Sequence, residues 1–172
     1  MIEWTQITVG RFNVWKDRGE FMKKKVLVTG IIAVVLAAVL FLYFRPMPLS
    51  DLAKENQTML ITYTEFGVSD GTPSIDYKNY HDITDEQKRE IISLMDEYAY
   101  TRTFGTVFSD GSLSGLGDKM VNIYIYEEND LVHMVSISST DCISVDNKTY
   151  KIKNASEFLD SLSDIVSRPG TS

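Results

Sequence analysis

Between Ser109 and Asp118 the chain reads SDGSLSGLGD, and this loop holds the residues best suited to a site. Gly111, Gly115 and Gly117 let a ligand approach the backbone closely, and Asp110 and Asp118 offer oxygens to a hard cation. The spacing is not that of an EF-hand, and no Gly-Lys-Ser/Thr closes the loop onto a helix as a phosphate loop requires. A mobile connection between strands accounts for the same composition. Asp-Gly recurs at Asp70-Gly71, which points to turn chemistry at both places. Tyr124 and Tyr126, with Tyr98, Tyr100 and Phe104, could form an aromatic surface for a peptide or glycan. Aromatics are also enriched in strands for packing reasons alone.

The remaining chemistry is sparse. His81-Asp82 places a histidine beside a carboxylate, as a general base would need, but no second ligand follows at helical or hairpin spacing. A surface turn is the plainer reading. His133 alternates with Leu131 and Val135 and reads as a partly buried structural histidine. Cys142, the single cysteine, follows Asp141, a neighbour that disfavours a thiolate, and reads as a small core residue. No catalytic residue, metal ligand or cofactor is assigned.

The frame that must position these residues is clearest in four short strands, Met120–Tyr126, Leu131–Ile137, Cys142–Val145 and Thr149–Ile152. Their tight polar connections permit only antiparallel neighbours, hence a meander. Met59–Phe66 predicts an earlier strand, Gly67–Pro73 a turn and Ser74–Asp82 an edge strand. Thr84-Asp85-Glu86-Gln87 and Asn154-Ala155-Ser156-Glu157 both match the capping box. They open helices whose buried stripes are Ile91, Leu94, Met95 and Tyr98, and Phe158, Leu159, Leu162, Ile165 and Val166. The expected fold is α+β, with two helices packed on one face of an antiparallel sheet.

Ahead of this domain lies Val26–Phe44, nineteen residues without a charge or a proline. As a helix it spans about 28 Å, the thickness of a bilayer's hydrocarbon core. Lys23-Lys24-Lys25 precedes it, and the chain up to Arg45 carries seven Lys/Arg against three Asp/Glu. From Pro46 onward there are ten against twenty-one, a net of −11 within the whole-chain −7. The positive-inside rule then puts the N-terminus in the cytoplasm and the acidic part outside. That acidity disfavours nucleic acid as a partner. The run ends in bulky residues with no small-x-small site, so an anchor is preferred to a cleaved signal peptide. Translation is expected to start at Met22, since codons for Asp17–Phe21 can form a bacterial ribosome-binding tract. The expected division is 1–21 as an over-extended start or cytoplasmic tail, 22–45 as the signal-anchor, 46–58 as a linker and 59–168 as the extracytoplasmic domain.

The helix from Asp85, then YTRTF, NIYIYEENDLVHMVSIS, CISVDNKTYKI and NASEFLDSL, resemble small membrane-anchored domains of Gram-positive bacteria with no assigned function. The resemblance covers Thr84 to Val166 and implies an extracytoplasmic location without supplying catalytic residues. The expectation is a single-pass protein of the bacterial cytoplasmic membrane that contacts lipid through Val26–Phe44. Its domain would bind a protein or cell-envelope partner without catalysis, through the sheet face or the Gly105–Lys119 loop. The alternatives are an envelope hydrolase built from Asp110, Asp118 and His81, and a secreted protein.

Overall fold

The structure, a computed structural model, describes residues 25–113 and 117–168. Two units divide at Tyr43/Phe44. The first contains helix α1, Lys25–Tyr43, with a mean hydropathy of 2.8 and none of it buried. By length and composition it suffices to cross a membrane. Lys23, Lys24 and the expected start at Met22 lie outside the described residues.

The second unit is α+β. Eight strands form one antiparallel sheet: β1 (Met47–Pro48), β2 (Thr58–Ser69), β3 (Thr72–Tyr80), β4 (Ala99–Thr101), β5 (Lys119–Glu127), β6 (Asp130–Ser138), β7 (Cys142–Val145) and β8 (Lys148–Ile152). Their spatial order is β1-β4-β8-β7-β6-β5-β2-β3, so the expected meander β5–β8 sits at the centre. Its Asp146-Asn147 turn has two positive φ angles, 48° and 62°, which align the twist of the flanking strands. Asp70 and Gly71, at 53° and 77°, turn β2 into β3 in the same way. Because that turn needs only two residues, the strands run on through Gly67–Ser69 and Thr72–Pro73, where a longer turn was expected.

Helices α2 (Asp85–Asp96) and α3 (Ala155–Ser167) cover one face. Ile61, Ile123, Val135 and Val145 form one rung of that face, and Tyr63, Val121, Ile137 and Ile143 the next. All are buried, against Ile91 and Met95 of α2 and the whole predicted stripe of α3. Each such side chain contributes about 1.5–3 kcal/mol by leaving water.

Two expectations need correction. Residues 46–58 are not a spacer. Met47 and Pro48 pair with Tyr100 and Ala99, and Leu49, Leu52, Ala53 and Gln57 are buried. The Ser50 hydroxyl donates to Asp96 Oδ1 at 2.7 Å and ties this segment to α2. Nor does Asn154 form a capping box. It takes a left-handed φ of 57°, and its side-chain amide donates to Glu157. The first amide of α3, Ala155 N–H, is instead capped by Asp141 Oδ1 from the β6–β7 turn, at 2.9 Å. At α2 the predicted box forms as read, with Gln87 N–H donating to Thr84 Oγ1 and Thr84 N–H to Gln87 Oε1.

Candidate functional site

The described parts of the loop between β4 and β5, residues 102–113 and 117–118, are pinned to the sheet near both ends. Near its start, Thr149 N–H donates to Ser109 Oγ at 2.8 Å and Thr149 Oγ1 to Ser112 O at 3.1 Å. Lys148 Nζ reaches the carbonyls of Val107 and Ser109. Gly111 has φ 84°, and a Cβ there would stand 2.6 Å from Asn147 Cα. Its lack of a side chain is explained by packing on the β7–β8 turn rather than by a ligand. Near its end, Asp118 N–H donates to Ser139 Oγ at 3.2 Å, and that hydroxyl donates to Asp118 Oδ1 at 2.6 Å. Gly117, at φ 65°, packs against the same serine. Gly115 lies outside the described residues. Where it is described, the expected mobile connection is therefore strapped to the sheet, with Gly111 beside the buried Ser144.

This anchoring separates the two carboxylates. Asp110 belongs to the β7–β8 end and Asp118 to the β6–β7 end, which the four residues of β7 hold about 13 Å apart. Asp110 Oδ1 accepts from Ser112 Oγ at 2.6 Å and Ser112 N–H at 3.0 Å, and these bonds hold its carboxyl below the usual aspartate range. The Ser139 hydroxyl lowers Asp118 in the same way. A cleft of about 360 Å³ includes Asp110 but neither Asp118 nor a histidine. Among the described residues no group of three or more His, Cys, Asp or Glu is disposed to hold a metal ion.

His81 is exposed just past the end of β3, near neither aspartate's anchor. His133 is half-buried, with Nδ1 2.7 Å from Asp146 Oδ2, while Asp146 Oδ1 accepts Met134 N–H at 3.0 Å. That pair was legible in principle: the Val135–Val145 register carries Asp146 onto the His133-Met134 step. Cys142 is only partly buried. It lines a cleft of about 840 Å³ with Pro46, Glu97, Asp141, Lys151 and Asn154. Sequence reasoning missed this cleft, because its walls come from four separate segments and no motif marks it.

The five aromatic residues do not share a surface. Tyr98 packs edge-on to Phe158 at 5.1 Å, Tyr100 to Tyr150 at 5.0 Å, and Phe104 to Phe44 at 4.8 Å. Burial raises the Tyr98 and Tyr100 hydroxyls above their ordinary pKa. Tyr124 and Tyr126 lie together on the helix-free face of β5. Tyr124 lies between Leu60 and Met134, and Tyr126 between Thr58 and Leu131. The strap does not cover this part: Leu131 is 49% exposed and Met134 37%. Fold and surfaces together define a two-unit chain, an apolar helix followed by a sheet domain with one face left partly bare. Compared with known proteins, the chain matches no family model, no curated protein and no solved structure.

Proposed function

We propose that this chain is a single-pass protein of the bacterial cytoplasmic membrane, with its N-terminus inside and a binding domain on the outer side. The observation that carries the binding role is the open patch of Leu60, Tyr124, Tyr126, Leu131 and Met134 on the helix-free face. An aromatic and aliphatic patch rimmed by polar residues suits a protein or cell-envelope partner. The commitment of Asp110 and Asp118 to separate serine anchors favours binding over hydrolysis. Retention of the helix as an anchor is supported by the three residues, Phe44 to Pro46, between α1 and β1. They leave little extended chain for a signal peptidase.

Two measurements test the reading. Protease added to wall-stripped cells is expected to digest the domain together with a known external control. Survival of the domain, or its release into the medium trimmed after α1, overturns the topology. A photo-crosslinking residue at Tyr124 is expected to capture a partner in its native cells, and one at Asp164 on α3 is not. Equal capture at both positions, or none at Tyr124, removes the patch.

A further inference from the structure

β3 is one of the two outer strands of the sheet, and eight of its nine residues are exposed. Which of its backbone groups are unpaired follows from the register. The two-residue turn Asp70-Gly71 makes Ser69 and Thr72 a hydrogen-bonded pair, and alternation then directs Ser74, Asp76, Lys78 and Tyr80 toward β2. Phe66 N–H, which donates away from β3 to Asp118 O at 2.7 Å, confirms the phase. Ile75, Tyr77 and Asn79 therefore aim their N–H and C=O groups outward. The side chains of Ile75 and Tyr77 are 53% and 61% exposed.

Such an edge invites another strand unless it is blunted. The charges on this one are arranged to admit a particular strand. Asp76 and Lys78 flank Tyr77 on the other face of the strand, 3.7 Å apart. If two copies of β3 pair antiparallel about a two-fold axis at Tyr77, each Asp76 stands directly opposite the other copy's Lys78. Ile75 then meets Asn79, Tyr77 meets Tyr77, and all the outward groups of these three residues find partners in roughly six backbone hydrogen bonds. Moving the axis to Asp76 sets aspartate against aspartate, and moving it to Lys78 sets lysine against lysine. Opposed like charges destabilise a cross-strand pair.

We propose that two copies of this chain associate through β3, in antiparallel register centred on Tyr77, to make one continuous sheet of both domains. This surface is distinct from the Tyr124 patch, so the dimer stands or falls independently of the proposed partner binding. The test uses the full chain in membranes with Cys142→Ser, so that any new thiol is the only one. Tyr77→Cys lies on the axis, where paired Cα atoms come within disulfide reach. Thr72→Cys lies far from its own symmetry mate. Under mild oxidation the covalent dimer is expected to form at position 77 at least about tenfold faster than at 72. D76K and K78D, each in the Tyr77→Cys background, are expected to cut the dimer yield about tenfold, and the double swap to restore it. Tyr77→Pro, which removes an outward N–H and the side chain but no backbone bond to β2, is expected to abolish association, read by light scattering of the purified chain, while lowering the melting temperature no more than Tyr77→Ala does. Equal rates at 77 and 72, no dimer at 77, a crosslink to a chain of different mass, or a double swap as weak as the single ones each overturn the proposal.

Discussion

The two helices of the domain begin with the same four-residue signature and are held in different ways. At α2 the signature closes on itself, and Gln87 then does more: its Nε2 donates to the carbonyls of Ile165 and Arg168, at 3.1 Å each, and so caps the far end of α3. At α3 the signature is bypassed. Asn154 spends its conformation on the left-handed corner after β8, and an aspartate thirteen residues earlier than Asn154 supplies the cap. The difference teaches that a cap motif reports a demand for an acceptor, while tertiary structure decides which residue meets it. α2 follows a loop end free to adopt cap geometry, whereas α3 follows a strand that must turn sharply.

Thermal melting of the full chain in detergent can break or sharpen this contrast. Gln87→Ala should cost most, roughly 2–3 kcal/mol, because it opens the α2 box and removes the side-chain donor to the Ile165 and Arg168 carbonyls at the end of α3. Asp141→Ala should cost about 2 kcal/mol, since it removes the α3 cap and places a non-glycine, non-aspartate residue at φ 57°. Thr84→Ala should cost about 1 kcal/mol, an ordinary N-cap loss. Asn154→Gly should change stability by less than about 0.5 kcal/mol, since glycine accepts the left-handed corner freely. A cost for Asn154→Gly as large as that for Asp141→Ala would show that α3 is capped locally after all. The weakest effect is a pH dependence of the strap. Asp110 and Asp118 have carboxyls lowered by serine donors, so their contribution is complete above the ordinary aspartate value near ~4 and is lost only as pH falls through the lowered values. Measured against intrinsic exchange, protection of the Ser112 and Lys119 amides should fall in that acid window, and Asp118→Asn should abolish the fall at Lys119.

The features legible in the sequence were those whose cause is local. The apolar run of α1, the period-two strands of the meander, the α2 box and the stripe of α3 all declare themselves within a dozen residues. What failed was contact between distant segments. Leu49, Leu52 and Ala53 are too few and too scattered to outvote the polar residues around them, so their burial beneath α2 could not be read from the stretch alone. The loop around Asp110 looked like a site because glycine and aspartate serve turns and ligands equally. Its serine anchors, Ser109 and Ser139, stand about forty and twenty residues from their partners Thr149 and Asp118. Tyr124 and Tyr126 were separated from the other aromatics only by the face of the sheet they occupy.

The position of β2 beside β5 also sets a schedule for synthesis. Synthesis from the N-terminus delivers the β2–β3 hairpin first, yet the inner edge of that hairpin has no neighbour until Lys119 and the residues after it arrive. That interval is roughly fifty residues, several seconds at ~5–20 residues per second. Throughout it only α2 is at hand to cover Ile61 and Tyr63, so each newly made molecule passes through a sticky, half-assembled stage before the core closes.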